Sequence, residues 1–173
     1  MRILLFTIIM VFSTTVAFTQ SNRKKSKKRY KAELKAEQTK QIRSIIDSKN
    51  YTFKAETVKP INTKTMTFTS DFGIEVRGDS IFSYLPYYGN TYVRDFSSHK
   101  NSPMGFAQPI YSYSRKYVKS GYKIKIKVKN ENEFIDLNFH ISKTGYTSLS
   151  ATFISRQSIS YDGEILIPVQ KEE

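Results

Sequence analysis

From Tyr122 to Phe153 the chain reads YKIKIKVKNENEFIDLNFHISKTGYTSLSATF, and the pairing of its two halves decides the fold class. Tyr122, Ile124, Ile126 and Val128 alternate strictly with Lys123, Lys125, Lys127 and Lys129, the period-two signature of a half-buried strand. A loop from Asn130 to Glu133 leads into Ile135, Leu137, Phe139 and Ile141, again alternating with polar residues. A hairpin across that loop pairs Val128 with Ile135, Ile126 with Leu137, Ile124 with Phe139 and Tyr122 with Ile141. Every apolar side chain then meets another, and Lys127 meets Asp136 on the opposite face. Lys143-Thr-Gly145 supplies a three-residue loop with glycine at a left-handed position, placing Leu149 opposite Phe139 and Ala151 opposite Leu137. The stretch is therefore a β-meander with one apolar face.

The same alternation holds on either side. Tyr51, Phe53 and Ala55 open a strand that Pro60 interrupts, and Met66 and Phe68 open another. Gly78-Asp79 is a two-residue turn with glycine at its first central position, which suits type II′. It pairs Val76 with Ile81, Ile74 with Ser83 and Phe72 with Leu85 on one face, and on the other Glu75 with Phe82 and Gly73 with Tyr84. Ser158–Tyr161 and Glu164–Ile167 read as a last pair turning at Asp162-Gly163. Between Gly89 and Pro109 no period holds over about 20 residues, which marks either a functional loop or an unpatterned strand. Eight to ten sequence-local antiparallel strands result, with one apolar face and one rich in Lys, Ser and Thr. That predicts a closed up-and-down β-barrel, with a β-sandwich as the alternative.

Ahead of the strands the composition changes. Arg29 to Lys49 is rich in Ala, Glu, Lys, Gln and Leu without Gly or Pro, and predicts a helix. Its apolar stripe, Leu34, Ile42, Ile45 and Ile46, widens toward the C-terminal end, which should dock on the β domain. Residues 21–50 hold eleven Lys or Arg against Glu33, Glu37 and Asp47, a net +8 of the formal +13 of the whole chain. Ser21 to Lys28 has no apolar residue and is expected to be disordered.

Residues 1–19 read as a secretory leader: Arg2, an apolar run from Ile3 to Phe12, then small or hydroxyl residues with cleavage before Gln20 or Phe18. The run is short of the about 20 residues that span a bilayer. An uncleaved anchor from Ile3 to Phe18 is the alternative, and it would place threonines in lipid. The domain map is thus a signal peptide at 1–19, a basic and partly disordered segment with a helix at 20–50, an antiparallel β domain at 51–168 and a tail at 169–173. The expected localisation is periplasmic or secreted. The chain has no cysteine, which excludes disulfides, thiolate metal sites, thiol nucleophiles and a lipidated cysteine after the leader.

Chemistry-bearing groups are few. Asp71-Phe72-Gly73 spells the magnesium tripeptide of protein kinases, but no glycine-rich loop precedes it and it reads as strand. His99 and His140 are the two histidines, and neither has a carboxylate or second histidine at ligand spacing, so no metal, cofactor or catalytic activity is expected. The densest aromatic segment is Tyr84-Leu-Pro-Tyr87-Tyr88-Gly89, followed by Tyr92. Tyrosines at a barrel rim can stack on a ligand and orient it through their hydroxyls, or they can close the barrel end over a Pro-Gly turn. Arg156 can hold an anion bidentately, or bridge strand ends to carbonyls or to Asp162.

Tyr51-Thr-Phe-Lys-Ala55 with Pro60, Gly78-Asp79, Tyr84-Leu-Pro-Tyr-Tyr-Gly89, Phe106, Gly145 and Arg156-Gln-Ser-Ile-Ser-Tyr-Asp-Gly163 together resemble the DUF4251 family of exported proteins from Bacteroidota, over about residues 45 to 168. The resemblance implies a β-barrel of lipocalin-like topology and no assigned activity. Family members often carry a lipidated cysteine, which this chain lacks.

Two functional expectations follow. The first is a non-catalytic binding module for an apolar or glycolipid-like ligand, held by Tyr84, Tyr87, Tyr88 and Tyr92 with Arg156 as anion partner. It needs a cavity that Phe and Ile leave unfilled. The second is an envelope interaction protein whose basic helix, through residues 23–43, holds an anionic membrane surface or an acidic partner. Export disfavours nucleic acid as a partner, and a solvated linker without partner is the plainer reading of the basic segment. The sequence does not set the oligomeric state.

Overall fold

The computed structural model describes residues 27–61, 63–90, 102–130 and 133–167. The leader, Tyr92, His99 and the tail from residue 168 lie outside the described residues, as does Ser21 to Ser26 of the segment expected to be disordered. Lys27 and Lys28 already belong to helix α1, residues 27–47.

Among the described residues eight strands follow: β1 Asn50–Pro60, β2 Met66–Arg77, β3 Ser80–Tyr84, β4 Gly105–Val118, β5 Gly121–Asn130, β6 Glu133–Ser142, β7 Tyr146–Thr152 and β8 Ile159–Leu166. Each pairs antiparallel with the next, and β8 pairs back onto β1 to close a barrel. The barrel, not the sandwich, is the architecture, in the meander order of a lipocalin-like fold.

The meander registers are those the alternation predicts. Val128 faces Ile135, Ile126 faces Leu137, Ile124 faces Phe139 and Lys127 faces Asp136, while Leu149 faces Phe139 and Ala151 faces Leu137. Gly78 has φ 58° in the β2–β3 turn and Gly145 has φ 94° in the β6–β7 loop, as those turns require. Val76–Ile81, Ile74–Ser83, Glu75–Phe82 and Gly73–Tyr84 also hold.

Three expectations change. The pair Phe72–Leu85 does not form, because β3 ends at Tyr84 and Leu85 turns in, donating its N–H to the Met104 carbonyl. Asp162-Gly163 is no turn: both lie inside β8, one continuous strand. Gly163 is there for proximity, since a Cβ on it would sit 1.9 Å from the Lys54 carbonyl oxygen of β1. The patternless stretch hides the start of β4, a 14-residue strand whose first half pairs with β3 and whose second half pairs with β5.

Inside, apolar side chains from every strand fill the barrel. Phe139 is fully buried, with the rings of Tyr51 and Phe53 set edge-on at 6.4 and 6.0 Å. Outside, β5 presents its lysines. Apolar within and charged without is the reverse of a lipid-embedded barrel. Among the described residues no helix is long and apolar enough to cross a membrane.

Met1–Glu37 and Gln38–Glu173 form two compact units. In the first, the described turns of α1 are exposed throughout. In the second, the helix end docks as its stripe predicts: Ile42 and Ile46 are fully buried and belong to the barrel core, and Ile45 packs against it. The end of α1 leaves carbonyls without helical partners. Arg115 of β4 meets one of them, donating from Nη1 to the Ile46 carbonyl at 3.0 Å, and pairs with the Asp47 carboxylate at 2.6 Å. Arg115→Met is expected to cost about 1–2 kcal/mol, as a charged donor to a helix end does. Hydrogen exchange should show residues 38–47 losing protection while β5–β7 keep theirs. Uniform loss across the barrel would count against this role.

Candidate functional site

The aromatic segment runs from the end of β3 across one mouth of the barrel, where it meets the β7–β8 connection. Tyr84, the last residue of β3, points outward over Gly73 and is 63% exposed. Leu85 is buried, and its carbonyl accepts from Ser102 Oγ at 2.8 Å. The Pro86 carbonyl accepts from the hydroxyl of Tyr161, again at 2.8 Å. Burial, with Tyr87 and Tyr88 close by, pushes the Tyr161 phenol well up, so it stays a donor.

Tyr87 folds back across the mouth. Its ring meets Phe153 edge-on at 5.3 Å, and its hydroxyl donates to the Gln157 carbonyl at 2.8 Å. Gly89 permits this, because a Cβ there would lie 2.2 Å from the Tyr87 hydroxyl. Asn90 and Gln157 complete the seam, the Gln157 N–H donating to the Asn90 carbonyl and the Asn90 N–H to the Gln157 side chain. Tyr87 thus closes the barrel end, while Tyr84 and Tyr88, the latter 47% exposed, face solvent.

Arg156 lies on the same connection, its side chain 14% exposed. Its ion-pair partner is Glu133 at the start of β6, with Nε 3.2 Å from Oε2, and not Asp162, which pairs with Lys59 of β1. Glu133 Oε1 also accepts from the Ile154 N–H at 3.0 Å and from the Ser155 N–H and Oγ at 2.7 Å each. Spacing gave no sign of Glu133, which looked like the last residue of a loop. The one available signal was an acid opposite an Arg across a predicted hairpin mouth.

Burial pushes the Glu133 carboxyl up, but the hydrogen bonds from Ser155 and from Arg156 outweigh it and hold the group below 4.5, the ordinary value. A depressed carboxylate stabilises the fold fully above the unfolded value and loses that contribution as pH falls through the folded one. Glu133→Gln is therefore expected to cost about 2 kcal/mol at neutral pH. The gap between the two proteins should narrow in acid, below pH 4.5. Urea titrations at several pH values measure it, and a gap independent of pH would refute the assignment.

Among the described residues, no group of three or more His, Asp or Glu is placed to hold a metal ion. His140 is exposed on the polar face opposite Lys123.

A family model for a domain of unknown function, DUF4251, matches residues 33–165. The chain belongs to the DUF4251 family. A solved DUF4251 family protein from Bacteroides eggerthii DSM 20697 is similar in structure, with a TM-score of 0.56 at 8% identity, over 75% of this chain and 87% of that one. At that identity the likeness is one of fold. No curated protein matches the chain. The DUF4251 match takes in the barrel from β1 to β8 and the aromatic segment with its Gln157 seam.

Proposed function

We propose that this DUF4251 protein is a non-catalytic interaction protein of the cell envelope, whose basic helix holds an anionic surface or an acidic partner. The observation that carries the reading is the opening of α1. Lys27, Lys28, Arg29, Lys31 and Lys35 are exposed there, with Glu33 and Glu37 as the acids between residues 27 and 37. A surface lysine or arginine near an anionic membrane contributes roughly 1 kcal/mol, and the contribution fades within a Debye length. The leader-like residues 1–19 support a periplasmic or secreted location.

Retention of the protein on vesicles containing phosphatidylglycerol, measured from low to high salt, tests it. Retention should fall steeply with salt, and replacing Lys27, Lys28, Arg29 and Lys31 by Glu should weaken it at least tenfold at low salt. Salt-insensitive retention, unchanged by those substitutions, would sink the proposal.

The second reading is a binding module for an apolar or glycolipid-like ligand at the tyrosine-lined end. The exposed rings of Tyr84 and Tyr88 favour it. The Tyr87 seam across that end favours a ligand lying over the mouth, near Tyr84, Tyr88 and Arg156, above one within the barrel.

A further inference from the structure

The outer face of β4 to β7 is ordered in a way that packing alone does not require. Register sets its side chains in rows across the strands. One row runs Ser112, Lys127, Asp136, Thr152, and the next runs Ser114, Lys125, Asn138, Ser150. Rows on one face of a sheet stand about 6.7 Å apart, and neighbouring strands about 4.8 Å apart. Between these two rows lies an open depression of about 450 Å³, bounded by seven of those eight polar residues and floored by Ile126 and Leu137. It therefore combines two ammonium groups, an amide, one carboxylate and several hydroxyls.

An aromatic platform stands at its border. β4 carries a bulge between Ile110 and Ser112, which leaves Tyr111 without a cross-strand partner. Bulges re-aim a side chain at the expense of ladder pairing. Tyr111 emerges 69% exposed, its ring centroid 5.2 Å from that of Phe134 on β6. Lys127 Nζ lies 5.8 Å from the Phe134 centroid and 3.5 Å from Asp136 Oδ1, so one ammonium links the platform to the polar rows.

We propose that this face is a binding site for an acidic saccharide, a sugar chain bearing carboxylate or sulfate groups. Lys125 and Lys127 pair with the anionic groups of such a chain. Asp136 and Asn138 accept hydrogen bonds from sugar hydroxyls, and Ser112, Ser114 and Thr152 exchange them. The exposed Tyr111 ring, held edge-on by Phe134, offers its own apolar face to the C–H face of a pyranose ring. A lipid surface fits less well, because neither row has an aliphatic side chain to insert among acyl chains. A single-stranded nucleic acid fits less well too, because successive bases require a series of stacking platforms. The site shares no residue with α1 or with the tyrosine-lined mouth.

The test titrates the purified protein with a defined galacturonic acid oligomer, with a neutral glucose oligomer of the same length and with oligothymidylate. Titration calorimetry is run at low and physiological salt. The acidic oligomer should bind at least tenfold more tightly than either comparison ligand. Lys125→Gln with Lys127→Gln should weaken it at least tenfold. Tyr111→Ser should weaken it at least threefold at both salt concentrations, since stacking is not screened. Each variant should melt within a few degrees of the parent, because all three side chains are at the surface. Replacing Lys27, Lys28, Arg29 and Lys31 by Gln should leave this binding unchanged, whatever it does to vesicle retention. No binding of the acidic oligomer at millimolar concentration would overturn the proposal. So would tighter binding of oligothymidylate, indifference to the β5 and Tyr111 substitutions, or loss of binding in the helix variant.

Discussion

Replacing Gly163 by alanine is expected to lower the melting temperature by about 12 °C, and replacing it by valine to abolish cooperative unfolding. A Cβ at this position lies 1.9 Å from the Lys54 carbonyl oxygen and 3.0 Å from the Ala55 Cα, both backbone atoms of β1. Neither atom can rotate aside. One strand must move off the other at the pairing that closes the barrel, where β1 already bulges between Ala55 and Thr57. Overpacking of this kind costs about 3 kcal/mol, and each kcal/mol lowers the midpoint of a domain this size by about 4 °C. Gly163 has no positive φ, so the penalty is steric rather than conformational. Thermal unfolding followed by circular dichroism measures it, and an unchanged midpoint in Gly163→Ala would show that β1 and β8 have slack between them.

Phe139→Ala is expected to cost about 3–5 kcal/mol, against a usual total of about 5–15 kcal/mol for a domain. Phe139 sits on β6 between Ile124 and Leu149 and is fully buried, with Tyr51 and Phe53 of β1 reaching it edge-on across the interior. Removing the ring leaves a cavity bounded by a closed sheet, which resists collapse from every side. Phe139→Leu keeps most of the volume and should cost less than half as much. In urea the midpoint should fall while the slope is retained. A loss below about 1 kcal/mol in Phe139→Ala would mean that the barrel wall relaxes inward, contrary to the rigidity of packed interiors.

The sequence was most legible where one face of a strand is buried and the other wet, as in β5, β6 and β7. There a shift of one residue would exchange Ile126 for Lys127 in the core, so a single register survives. It misled where a bulge resets the period. β4 carries its bulge at Ile110–Ser112, and its inward positions include Tyr113 and Arg115, so no apolar alternation marks it. β8 was split at Asp162-Gly163 because a glycine needed for close approach looks the same, residue by residue, as a glycine needed for a turn. The aromatic mouth was visible as composition, yet its geometry was not: Tyr87 meets Gln157 across 70 positions of chain, and no local pattern encodes that meeting. Arg156 has Glu133 as its acid rather than Asp162, since Glu133 lies 23 positions away at the open end of the β6–β7 hairpin.

The pairing of β1 with β8 bears on how such a chain comes into being. Phe53 and Ile165 are neighbours although more than a hundred residues separate them, so the entropy of joining them is lost before any of their contacts is gained. A growing chain can lay β1 to β7 side by side, but it holds two raw strand edges until Ile159 to Leu166 arrives. A polypeptide cut off ahead of β8 would accordingly be a self-associating sheet rather than a smaller version of the same protein. The eight-residue β8 is the step that turns an adhesive intermediate into a closed barrel.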